Sequence, residues 1–267
     1  MLGKALAGTV HWMFLPPPTR GLFIPLPMLG PANAVVPRLP GPLLGRKAVL
    51  YSENRFIVID GPSNYPVGPW PPGDYPHKSF AASQFLRDVV PRHCLGHLRF
   101  LEIVFAPFNH LNKPRDGHPA LVDWLETLEW AKHNLNLPVL TLRLIVATCA
   151  HSGHQGYEEM TRAQGKEVLA VYNSIVHPLR RLGPTSEGGL ARFYAELAWP
   201  WRWTTWVSVK LEAMSNQEVY DWLASKDREL KRRAEQFVME ERYERVCVAA
   251  REPQASAWTW TRRNLEA

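Results

Sequence analysis

The sequence predicts an α/β fold: a short, mainly parallel sheet of about four to five strands with helices packed beside it, half-solenoid-like in arrangement. Three observations carry this. Apolar runs of strand length begin near Phe56, Leu98, Val139 and Leu190, roughly 40 to 50 residues apart. A helix-period segment fills each of the last two gaps, and a strand–helix–strand unit needs a crossover of that length to bring its strands parallel. The runs LRFLEIV, LTLRLIV and LARFYAE also resemble one another, each setting an arginine among apolar residues, as a weak internal repeat would. Antiparallel α+β is the alternative.

The elements follow in order. Fifteen of the 24 prolines precede Lys78, and proline removes backbone donors and fixes φ, so regular structure is hard to sustain there. Residues 1–46 show no helical or strand periodicity and are expected to be disordered or loosely draped, as is the loop 61–76. Between them 48–59 holds a strand, its second half the apolar run Phe56-Ile57-Val58-Ile59, closed by Asp60-Gly61-Pro62. Ser79 is placed to cap a helix through His93. A strand at 98–105 stops at Ala106-Pro107. His118-Pro119 opens a helix with Leu121, Leu125, Leu128 and Ala131 at three- and four-residue steps, and the next strand is 139–147. A helix over 156–182 is bent or shortened by Pro178, a strand follows at 190–197, and 206–211 is a less secure fifth strand. Ser215 caps a last helix reaching toward Val246, with Val219, Trp222, Leu230, Ala234 and Phe237 on a broad face. The expected organisation is a Pro-rich segment 1–46, one α/β domain 47–248 and a tail 249–267.

Composition bounds the function classes. The chain has 267 residues, and its net charge of +6 arises from 31 Lys and Arg against 25 Asp and Glu, so both signs are abundant. The densest basic run, 226–233, is interrupted by Asp227 and Glu229, which reads as a solvated helix face rather than a nucleic-acid stripe. Three cysteines without close spacing argue against a secreted disulfide framework, and an intracellular setting is expected, in cytoplasm or nucleus. The apolar stretch 5–15 lacks the small-residue cleavage site of a secretory signal, and no apolar run reaches the length of a membrane span.

The run Leu50-Tyr51-Ser52-Glu53-Asn54-Arg55-Phe56 resembles the YSEN-x-F strand signature of a large group of uncharacterised filamentous-fungal proteins, related to F-box-like and leucine-rich-repeat-like proteins. The resemblance continues through Pro91-Arg92-His93-Cys94-Leu95, the run 98–105, the run 124–130, the run 140–146 and Phe193-Tyr194-Ala195-Glu196-Leu197-Ala198-Trp199-Pro200-Trp201, so that it spans residues 50 to 244. It implies an interaction or scaffold domain beside an F-box-like helical segment, with a Skp1-type adaptor as partner where that segment is present. Only the remnant Gly45-Arg46-Lys47-Ala48 stands where that segment would end, and residues 1–44 depart from the pattern, so the F-box-like part is expected to be missing.

Candidate sites are weighed against plainer readings. Cys149, His151 and His154 form a C-x-H-x2-H cluster after a strand, and His93, Cys94 or His97 would have to supply the remaining ligand from elsewhere; the spacing is not that of a common zinc site, and no metal or other cofactor is expected. Asp123, Glu126 and Glu129 share a helix opposite its leucines, which suits a solvated face better than paired catalytic acids. No nucleophile elbow, Walker loop or dinucleotide fingerprint is present, and no catalytic residue is assigned. The best binding candidate is the aromatic cluster Trp199, Trp201, Arg202, Trp203 and Trp206, since Trp and Arg are favoured at interface centres; the plainer reading packs these tryptophans on the sheet edge. The reading that follows is a non-catalytic protein-interaction or scaffold domain, with no membrane or nucleic-acid partner. An enzyme whose site assembles only in three dimensions and a weak nucleic-acid binder are the alternatives.

Overall fold

Strands β1 (His11–Leu15), β2 (Arg55–Asp60), β3 (Phe100–Phe105), β4 (Thr141–Val146) and β5 (Arg192–Leu197) hydrogen-bond into one sheet in sequence order. The computed structural model describes residues 11–15, 49–52, 54–60, 78–105, 108, 113–146, 161–184, 188–203 and 214–248. Strands β2 to β5 are parallel throughout, and β1 is antiparallel to β2. The predicted α/β class holds. β1 is a correction, because it lies in the segment 1–46 expected to lack regular structure. Its run HWMFL has no alternation to mark it, and its backbone groups find partners on the free edge of β2. The candidate strand at 206–211 and the tail 249–267 lie outside the described residues.

Sequential order among parallel strands requires a crossover after each, and crossovers of one hand place their helices on one side. Here α1 (Ala81–Gln84), α2 (Arg92–Leu95), α3 (Pro119–Asn134) and α4 (Arg162–Val176) share a core with Phe56, Val58, Leu101, Ile103, Phe105, Leu142, Leu144, Val146, Phe193 and Leu197. The helix expected from 79 to 93 is broken. α1 passes into a π-helical turn, Phe85–Val89, and α2 starts after Pro91. Ser79 does not cap it. The buried Asp60 carboxylate, delivered from the end of β2, accepts the Ala81 N–H at 2.8 Å. In α3 the buried line centres on Trp124, Leu128 and Ala131, with Leu121 and Leu125 only half-buried; the Trp124 indole N–H donates to the Ile175 carbonyl at 3.0 Å. α4 opens on a capping box at Thr161 and Gln164, and at Pro178, which has no N–H, it tightens into the 3-10 turn His177–Leu182.

The motif Tyr51-Ser52-x-Asn54 is structural. The strand expected from residue 48 starts only at Arg55: residues 49–52 form a helical turn, closed by Asn54 Nδ2 donating to the Leu50 carbonyl at 2.8 Å, and the Tyr51 ring stacks on Phe56 at 5.2 Å.

On the opposite face of the sheet, Ile57, Glu102, Arg143 and Tyr194 stand in one register row. Arg143 Nη1 is 3.8 Å from Glu102 Oε2, with both side chains at most 1% exposed. The Arg143 guanidinium also lies 5.9 Å from the Phe100 ring centre and 5.8 Å from that of Tyr194, while Arg55 sits 4.5 Å over Phe100. Burial, and then the charge of Arg143, hold the Arg55 pKa below its ordinary value against the opposing pull of Glu102. The arginines of the apparent repeat are therefore not equivalent. Thr141 pairs with Arg192 and Phe100, which leaves Arg143 opposite Glu102, and Arg99 precedes its strand.

Two predictions follow from these contacts. Glu102→Leu alone strands a buried guanidinium and should destabilise the chain by about 3–5 kcal/mol in urea unfolding, and adding Arg143→Met should recover a large part of the loss; equal stability of single and double variants would contradict the pairing. At α3, His118 Nδ1 accepts the Ala120 N–H at 3.2 Å, and burial lowers the His118 pKa. A lowered folded pKa means the cap stabilises above the ordinary histidine range and is lost as pH falls through the folded pKa, when the ring takes a proton on the accepting nitrogen. The stability difference between the parent and His118→Ala should thus be about 0.5–1 kcal/mol at neutral to alkaline pH and shrink as the pH falls below the ordinary histidine range.

Candidate functional site

The site is built where the last helix meets the last strand. Ser215 and Glu218 form a reciprocal capping box that starts α5 (Asn216–Met239), and the Ser215 bonds hold the Glu218 carboxylate below its ordinary pKa. Among the described residues β5 is the last strand of the sheet, and its outward backbone groups need partners. Glu235, 3% exposed, accepts the Ala195 N–H at 2.9 Å, and Asp227 accepts the Trp199 N–H at 2.8 Å. The spacing is matched: eight helical residues rise about 12 Å, and four extended residues advance about 13 Å. α5 therefore runs antiparallel along the edge of β5, bonded to the strand at Ala195 and to the chain just past its end at Trp199. Below it, Cys247 of the π-helical turn Glu244–Val248 donates its thiol to the Phe193 carbonyl at 3.5 Å. Burial pushes that thiol's pKa up, which keeps it a donor.

This corrects the reading of 226–233 and its flanking acids as a wholly solvated face. Asp227 and Glu235 turn toward the sheet edge with Leu223, Ala234 and Val238, while Trp222, Lys226, Glu229, Leu230 and Arg233 make the neighbouring stripe. That second stripe is one wall of a cleft of about 440 Å³. Leu169 of α4 and Trp199 and Trp201, which flank Pro200 at the 3-10 turn Pro200–Trp203, complete it.

The tryptophans are held in place. Trp199 meets Trp222 edge to face at 5.0 Å and Trp201 at 5.6 Å with planes tilted by 52°. The Trp201 indole N–H donates to the Arg162 carbonyl at 3.1 Å, in the first turn of α4. Its ring lies against Gly165, where an added Cβ would stand 2.4 Å from the indole nitrogen. Along the rim Glu229 bridges two cations, with Lys226 Nζ at 3.4 Å and Arg233 bonded from the next turn.

Of the sequence-predicted cluster, the structure thus brings Trp199 and Trp201 to the cleft. The side chains of Arg202 and Trp203 and the whole of Trp206 lie outside the described residues, as do Cys149, His151 and His154. The rings of Trp199 and Trp201 pack on one another and line an opening. Sequence reasoning missed Gly165, Leu169, Lys226, Glu229 and Arg233; the only signal for the last three was their spacing with Trp222. Asp123 pairs with Arg87 at 3.2 Å and Glu129 with Arg181, so these acids serve separate surface contacts, and Glu126 is exposed. His93 is exposed and Cys94 is buried. Among the described residues no group of three or more His, Cys, Asp or Glu is arranged to hold a metal ion, and no helix is long and apolar enough to cross a membrane.

No protein-family model, no curated protein and no solved structure matches this chain.

The contact of Trp201 with Gly165 generates a direct test. Gly165→Ala should displace the indole from α4, change the near-UV circular dichroism of the tryptophans and destabilise the chain by about 1–3 kcal/mol. An unchanged spectrum would mean that the ring does not rest there.

Proposed function

We propose that this chain is a non-catalytic protein-interaction domain whose contact surface is the tryptophan-lined cleft between α4, the Pro200–Trp203 turn and α5. The observation that carries the reading is the preformed cleft itself. Aromatic walls fixed by Asp227, Gly165 and the Arg162 carbonyl need little ordering on association, which is where much of the unfavourable free energy of binding arises. Its volume falls in the range that accommodates one or two side chains of a partner, and tryptophan with arginine is the composition favoured at interface centres. The resemblance of the YSEN-x-F motif and the later strands to uncharacterised fungal proteins related to F-box-like ones supports an adaptor-style, intracellular role of the same kind, with a Skp1-type adaptor as one partner to be tested.

The experiment is quantitative affinity capture with the parent chain and with Leu230→Asp, a change in the cleft wall, after matched thermal unfolding shows both to be folded. A discrete set of proteins should be retained by the parent and reduced about tenfold or more by the variant. Identical sets would remove the cleft from the interaction.

A further inference from the structure

We infer that the occupant of the tryptophan cleft is an acidic peptide segment carrying one large apolar or aromatic anchor, an inference that rests on the cleft being a protein-contact site. Two features decide the chemistry.

The first is ring spacing. An aromatic cage for a cation needs rings set apart around it, whereas Trp199 touches both Trp201 and Trp222, with centres 5.6 and 5.0 Å away. No cation fits between rings already in contact. What the rings offer is a continuous apolar wall, extended by Leu169 and Leu230, against which a single flat or branched side chain can lie.

The second is rim charge. Lys226 and Arg233 flank Glu229 along α5, so the lining holds two cations and one carboxylate. These pairs are exposed, with the Arg233 side chain 68% accessible, and exposed ion pairs of this sort contribute under about 1 kcal/mol. An incoming carboxylate can therefore take Arg233 at little loss and leaves Glu229 with Lys226, so that every charge on the rim is matched. A basic segment would instead meet an excess cation beside the anchor position. Complementarity of this kind acts chiefly on specificity and on the rate of encounter, and it weakens as salt rises.

The test uses three synthetic peptides of equal length: one with acidic residues around a single Trp, one with lysines replacing the acids, and one acidic with Ala in place of the Trp. Binding of each to the full chain is read by fluorescence anisotropy at low and high salt. The acidic, Trp-bearing peptide should bind at least about tenfold more tightly than either control, with affinity falling as salt rises. Lys226→Gln/Arg233→Gln, changes at a half-buried and an exposed position, should abolish that preference and lower the unfolding temperature only slightly, since the ion pairs they remove contribute under about 1 kcal/mol each. Equal or tighter binding of the lysine peptide would overturn the acidic assignment and leave the cleft as a contact site. Failure of both Trp-bearing peptides to bind would overturn the cleft reading as well. Tighter, Arg233-dependent binding of a single-stranded oligonucleotide would replace the peptide by a nucleic acid.

Discussion

The clamp between α5 and β5 is the constraint on which the functional architecture rests. Among the described residues no later strand covers the outer edge of β5, and uncovered N–H groups on a sheet edge invite pairing with another chain. In this protein two carboxylates eight residues apart on a helix accept two N–H groups four residues apart, one within β5 and one two residues past its end, and the rises of helix and extended chain agree over that span. One stripe of α5 is thereby consumed in sealing the sheet. The next stripe is turned, by helical geometry alone, to face Trp199, Trp201 and Leu169, so the cleft is a consequence of how the edge is closed.

The other half of the fold is held by more ordinary means. The core face of the sheet buries aliphatic and aromatic side chains against α1 to α4, and the Glu102–Arg143 pair on the opposite face fixes the relation of the two central strands. A one-residue slip between β3 and β4 would separate those charges and turn each strand's apolar set to the wrong face, so the pair specifies register at a location where desolvation opposes it.

Much of this was legible in the sequence because it is local. The runs that became β2 to β5, the Pro119 helix start, the Ser215 cap and the effect of Pro178 all follow from period, proline chemistry and capping. What was not legible depends on distant partners. β1 has no alternation and is placed by the edge of β2. α1 breaks into a π-helical turn although its apolar spacing suggested a single helix, and its first N–H is satisfied by Asp60, 21 residues upstream. Asp227 and Glu235 look like the acids of a solvated helix until the backbone donors of β5 stand beside them. The cleft was half visible: Trp199 and Trp201 are two residues apart in the chain, but Gly165 and the α5 stripe come from segments more than twenty residues away on either side, and only the folded sheet edge brings them together.

The clamp can be measured directly by amide hydrogen exchange at Ala195 and Trp199. In the parent chain both amides should be protected; Glu235→Ala should speed exchange at Ala195, and Asp227→Ala should speed it at Trp199, the latter with weakened contact of Trp199 on Trp222. Exchange at coil-like rates in the parent, or rates indifferent to both substitutions, would show that α5 does not close the sheet edge and that the cleft is not built in this way.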